Sequence, residues 1–104
     1  MDEKLLMLRD RSYATGKNYD GAVRKCTESL GGPNYQSCMV KQRVAGLEYG
    51  TALAKLLDHL EHLPSTPAIE DEKTHSRKLL DLLDRELEAV EQLLPLAEKT
   101  SLEV

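Results

Sequence analysis

The sequence contains no phenylalanine and no tryptophan, and its only aromatic residues are four tyrosines. A hydrophobic core must therefore be built mainly from leucine, which loses little side-chain freedom on a helix. The β-branched and aromatic residues that strands favour are scarce. A chain of 104 residues is long enough for one core and too short for two. We therefore expect a single all-α domain.

Long apolar runs are also lacking, and no stretch approaches the roughly 20 apolar residues that a membrane span requires. The segment from Met1 to Leu8 has no basic region followed by a sustained apolar run, as a secretory signal would. Cysteine is limited to Cys26 and Cys38, too few for a disulfide framework. These features predict a cytoplasmic protein with reduced cysteines and no membrane contact. The alternative is a disulfide, if a helical hairpin brings the two residues together.

The charge is unevenly distributed along the chain. The first fifty residues carry eight basic and six acidic side chains, whereas the remaining fifty-four carry six and twelve. The two halves can attract each other within the fold, or the acidic half can provide a docking face for a basic partner.

Capping and stop signals divide the first half into two predicted helices. Asp2 is a candidate cap for a helix over about residues 3–15, with Gly16 as its stop. Asn18 or Asp20 can cap a second helix that ends at the sequence Gly-Gly-Pro at residues 31–33.

A third helix is predicted from Tyr35 or Ser37 to Leu63, and its middle contains Gly46 and Gly50. Glycine lowers helix stability by roughly 1 kcal/mol relative to alanine. This pair therefore indicates a helix break, a close helix crossing or seat for a tyrosine ring, or a groove for a partner.

The last helix opens at Thr66 followed by Pro67, a cap and a first-turn proline. A broad leucine stripe from Leu79 to Leu94 predicts packing against two neighbouring helices. Pro95 should bend or end the helix. The predicted organisation is one helical domain over residues 1–98, a flexible tail over 99–104, and an antiparallel bundle of three to four helices.

Two segments resemble parts of tetratricopeptide repeats. Glu48-Tyr49-Gly50-Thr51-Ala52-Leu53, leading to Pro64, resembles the second helix of that motif, and residues 16–22 are similar to its turn. This resemblance covers about residues 5–64 and implies tetratricopeptide-like helical hairpins as an alternative fold. Residues 18–23 also look like part of the three-helix domains that bind sorting-complex tails, and the helix with Arg77 and Lys78 looks like the end of chaperone-regulating BAG bundles. No family is assigned, but all three modules bind proteins.

Residues that could carry chemistry are few. His59 and His62 stand one turn apart, but neither a cysteine cluster nor a His-Glu-x-x-His run accompanies them, and His75 is a loop away. There is no phosphate-binding loop and no dinucleotide fingerprint. We expect no enzyme activity, no metal and no cofactor.

The sequence therefore predicts a protein-protein interaction module: an adaptor, chaperone-like escort, inhibitor or complex subunit. A homodimer is expected if the leucine stripe is wider than one chain can cover. The alternative is a small nucleic-acid-associated regulator that uses the basic turn at residues 24–43, with Arg24, Lys25, Lys41 and Arg43. The predicted partner-binding residues are Gly46, Gly50, Asp81, Asp84, Glu88 and Glu91.

Overall fold

The chain folds into three helices joined by two short turns. The computed structural model describes the backbone of residues 2–103 and the side chains of residues 2–94. Helix α1 spans Glu3–Glu28, α2 spans Tyr35–Glu61 and α3 spans Pro67–Glu103. No strand occurs within residues 2–103. The predicted all-α bundle is confirmed, with three helices.

Helix α1 is continuous through the predicted stop at Gly16. A Cβ atom at Gly16 would lie 3.0 Å from Tyr49 Cε1, so the glycine admits the tyrosine ring of α2 against the α1 backbone. The predicted stop, and the second cap at Asn18 or Asp20, are therefore wrong. The tetratricopeptide-like turn at residues 16–22 does not form either. The cap at Asp2 is confirmed, because its Oδ1 accepts a hydrogen bond of 3.1 Å from the Leu5 amide.

The predicted Gly-Gly-Pro turn does end α1, and Gly31 adopts a left-handed φ of 78° there. The turn reverses the chain, so that α2 returns antiparallel to α1. Cys26 and Cys38 meet across the hairpin with their Cα atoms 5.3 Å apart and form a disulfide. The prediction that both remain reduced thiols is wrong, because the hairpin brings them within bonding geometry.

Helix α2 is also continuous, so the helix break, one of the three interpretations of Gly46 and Gly50, does not occur. A Cβ atom at Gly46 would lie 2.5 Å from Leu87 Cδ2 and 3.0 Å from Tyr19 Cε1. At Gly50 the nearest atom would be Leu83 Cδ2, at 3.4 Å. The glycines therefore mark a close helix crossing that also seats a tyrosine ring, which was one of the three interpretations.

Helix α3 starts as predicted, with the Ile69 amide donating a 3.2 Å hydrogen bond to Thr66 Oγ1. Its bounds pass Pro95, so the predicted helix end there is wrong. Side chains from Pro95 onward lie outside the described residues. The flexible tail at 99–104 and the domain boundary at residue 98 remain predictions.

The core follows the length of α2, which packs against both neighbours. Leu53 and Leu60 are its most buried large side chains, at 1% and 0% exposed. Three groups of buried residues follow one another along the bundle: Leu5, Leu56 and Leu60; Tyr19, Ala45, Leu53, Leu83 and Leu87; Met39 and Val90. Over the part of the chain described, no helix is both long enough and apolar enough to cross a membrane.

Candidate functional site

Helices α1 and α3 pack less closely on each other than on α2, and polar side chains connect them at two places. Arg9 forms a two-pronged ion pair with Glu72, with nitrogen to oxygen distances of 2.6 and 2.9 Å. Further along, the Tyr19 hydroxyl donates a hydrogen bond to the Glu86 carboxylate.

Between these connections lies an open groove of about 340 Å³, which we call the central groove. Its floor comprises Tyr49, Leu53 and Leu56 of α2. Tyr13 and Leu79 line it from α1 and α3, respectively. Charged and polar side chains complete the lining, among them Arg9, Lys17, Asp20, Glu72 and His75. The groove therefore combines apolar residues with charges of both signs.

The two tyrosines beside this groove are held in the neutral form. Burial raises the pKa of Tyr19, and its hydrogen bond to Glu86 raises it further. Burial also raises the pKa of Tyr49, whose ring centroid lies 6.1 Å from that of Tyr19. Their packing makes both rings part of the fold, so their chemistry is that of hydrogen bonding and apolar contact.

The predicted glycine site is occupied from within the chain. Gly46 is buried beneath Leu87 and Tyr19, and Gly50 is approached by Leu83. The groove that a partner would need along these glycines is therefore filled by α1 and α3. Their role in the structure is to let the helices approach closely.

The predicted acidic residues are on the surface of α3. Asp81, Asp84 and Glu88 are exposed. Glu91 is exposed as well, and its Oε1 lies 3.3 Å from Arg43 Nη2 of α2. This ion pair matches the predicted attraction between the two halves of the sequence.

The predicted basic turn does not form a single patch. Lys25 and Lys41 line a groove between α1 and α2, together with Lys17, which sequence reasoning missed. Arg43 instead faces α3, where it pairs with Glu91, and Arg24 does not line the groove. The four basic residues therefore do not present one surface to a nucleic acid. That alternative function remains a prediction that this geometry does not favour.

The histidines have separate surroundings. His59 Nε2 donates to Asp2 Oδ2 at 2.8 Å, and this hydrogen bond is the main cause of the lowered pKa of Asp2. His62 Nδ1 donates to the Asp58 carbonyl at 2.7 Å, whereas His75 lines the central groove. Among the described residues, no three histidine, cysteine, aspartate or glutamate side chains lie close enough together to hold a metal ion.

Sequence reasoning also missed the central groove, although two of its residues had been noted. By local pattern alone, Gly16 indicates a helix stop and Tyr49 resembles part of a repeat. Only the packing of α1 against α2 reveals that Gly16 makes room for the ring of Tyr49. In comparisons with known proteins, the chain matches no family profile, no curated protein and no solved structure.

Proposed function

We propose that this protein is a small interaction module that binds an amphipathic helix of another protein in the central groove and performs no chemistry. The supporting observation is the spacing of the helices: α1 and α3 both pack on α2 but not closely on each other, and the groove between them is lined by half-buried Tyr49 and Leu79 and by exposed Tyr13. A four-helix bundle would place its remaining helix in such a channel.

The lining of the central groove supports this choice of occupant. An amphipathic helix would place leucine or valine on the groove floor and its polar flanks beside the rim. Lys17 and Asp20 lie on the α1 side and His75 lies on the α3 side, whereas Arg9 and Glu72 pair with each other at one end of the groove. Charged side chains on the flank of a bound helix would pair with Lys17 and Asp20, which favours an amphipathic helix over a wholly apolar one.

The broader role follows from this binding mode: an adaptor, a chaperone-like escort, an inhibitor or a complex subunit. A second copy of the chain is also a candidate partner, because Leu82 and Leu93 of the leucine stripe remain exposed. The disulfide supports work in an oxidising compartment, where such bonds persist. The predicted cytoplasmic location can be checked by alkylating free thiols in intact cells before extraction and measuring the modified fraction.

The test is site-specific photo-crosslinking in the native cell. A photoreactive phenylalanine replaces Tyr13 on the groove rim or, as the control, Leu30 in the turn; these side chains are 68% and 70% exposed. We expect crosslinks to one partner from position 13 only, at an amphipathic helical segment identified by mass spectrometry. Equal crosslinking from both positions, or a crosslinked segment without helical apolar spacing, would contradict the proposal. Native mass measurement distinguishes a homodimer from a different partner.

A further inference from the structure

A second groove, here called the lysine groove, lies between α1 and α2 near the disulfide. Lys17 and Lys25 line it from α1, Lys41 lines it from α2, and its volume is about 320 Å³. Cys38 is also part of the lining, so the disulfide fixes the two helices beside the groove. The three lysines are therefore presented by a covalently tied hairpin.

The charge of the lysine groove is not balanced from within. The chain as a whole carries a net charge of −4, yet no carboxylate lines this groove. The ion pairs found among residues 2–94 use other cations: Arg9, Arg43, His59, Lys73 and Arg77. Converging like charges raise the local positive potential, which attracts anions.

The floor of the lysine groove leaves room for close approach. Gly21 lies in the interior of α1, and a Cβ atom there would meet nothing within 4 Å. The fold itself therefore does not require glycine, although glycine weakens a helix by roughly 1 kcal/mol relative to alanine. Like Ala22 and Ala45, Gly21 places no large side chain on the floor of the groove.

We propose that the lysine groove binds an acidic peptide segment of a partner protein, with carboxylates placed against the ammonium groups of Lys17, Lys25 and Lys41. Lys17 and Lys25 are eight positions apart on α1, which corresponds to about 12 Å along the helix axis. An open channel of this length between two helices suits a linear segment better than a compact ion. Lys17 also lines the central groove, where its Nζ lies 5.5 Å from the centre of the Tyr13 ring, but Lys25 and Lys41 line the lysine groove alone and separate the two sites.

The test measures binding of a fluorescein-labelled, glutamate-rich peptide of about twelve residues, long enough to span the groove. Its control is the same peptide with every glutamate replaced by glutamine. The protein variant K25Q/K41Q removes the two lysines that line this groove alone, and R24Q/K78Q makes the same change in net charge at exposed positions outside it. Fluorescence anisotropy at low salt gives the Kd values.

We expect the groove variant to bind the acidic peptide about tenfold more weakly and the control variant to lose less than about twofold. The glutamine peptide should bind neither protein. Gly21→Leu should keep the helical circular dichroism spectrum and weaken binding, because its side chain would occupy the floor. Equal losses in the two double variants, or unchanged binding by Gly21→Leu, would overturn the proposal. Photo-crosslinking from position 13 does not involve Lys25 or Lys41, so its outcome tests the central groove separately.

Discussion

At the scale of single residues, two glycines in helix interiors, Gly46 and Gly21, have opposite surroundings. Gly46 is covered by Leu87 and Tyr19, whereas the position of a Cβ atom at Gly21 is open. Substitution by valine adds the same side chain and the same helix penalty at both positions. The difference between the two variants therefore measures packing alone.

We expect Gly46→Val to lower the free energy of unfolding by about 2 kcal/mol more than Gly21→Val, because overpacking a tight contact costs about 1–3 kcal/mol. Urea denaturation followed by circular dichroism gives both values. Similar values for the two variants would mean that Gly46 is not at a close helix crossing.

The contribution of the Tyr19 hydroxyl to stability can also be isolated. Tyr19→Phe removes the hydrogen bond to Glu86 but keeps the ring on Gly46, so we expect a loss of about 1 kcal/mol. Because the pKa of Tyr19 is raised in the folded state, the wild-type contribution is complete below the usual tyrosine pKa of 10.0 and is lost as the pH rises above it.

The difference in unfolding free energy between wild type and Tyr19→Phe should therefore shrink above pH 10. Denaturation curves at pH 8, 10 and 11 measure it. A difference that grows with pH would contradict the assigned hydrogen bond. Tyr13→Phe is the control, since Tyr13 is exposed.

At the scale of the elements, the start of each outer helix could be predicted because its signal is local. Asp2 and Thr66 cap helices through hydrogen bonds within three residues. The predictions that helices end at Gly16 and at Pro95 are wrong. At Gly16 the deciding contact is with Tyr49, 33 positions away, and no local pattern encodes it.

The prediction that the leucine stripe of α3 packs against two neighbouring helices is wrong, because α3 packs closely on α2 alone over the described residues, and the members of the stripe that face away from α2 are exposed. Leu83 is 3% exposed and its neighbour Leu82 is 54% exposed. We expect Leu83→Ala to cost about 3 kcal/mol and Leu82→Ala less than about 1 kcal/mol, measured by urea denaturation of the monomer. Comparable costs would indicate that α3 packs with a different face, or that Leu82 is buried in an assembly.

The disulfide connects the end of α1 to the start of α2 across twelve positions. A closed loop of this size stabilises a protein by about 3 kcal/mol by restricting the unfolded chain. We therefore expect the variant C26S/C38S to unfold at lower urea concentration while keeping its helical spectrum. Adding a reductant should lower the wild-type midpoint and leave the variant unchanged. A wild-type midpoint that does not respond to reductant would mean that the bond is absent in solution.

At the scale of the whole molecule, stability should be greatest in the middle helix. Helix α2 packs against both neighbours and contains the two most buried leucines, whereas each outer helix leaves one side open. We expect the slowest amide hydrogen exchange in α2 around residues 52–60, because these amides require the most extensive opening. Mass spectrometry of peptic fragments measures it, and slower exchange in α3 would contradict this hierarchy.

The fold class and helix content could be predicted from composition and spacing, but the candidate sites could not. Both grooves depend on which helix faces are left apart, and this is decided by pairings such as Tyr49 with Gly16 and Cys26 with Cys38. The acidic residues Asp81, Asp84 and Glu88 were correctly expected at the surface. Their exposure alone does not identify a partner.

The covalent link across the hairpin also determines how the protein would respond to a protease. Peptide bonds in the turn between Cys26 and Cys38 are exposed, and a cut there would leave two fragments still joined through sulfur. On a non-reducing gel the nicked protein would migrate with the intact one, and only a thiol would release the N-terminal fragment. Damage at the most accessible turn would thus leave the hairpin assembled.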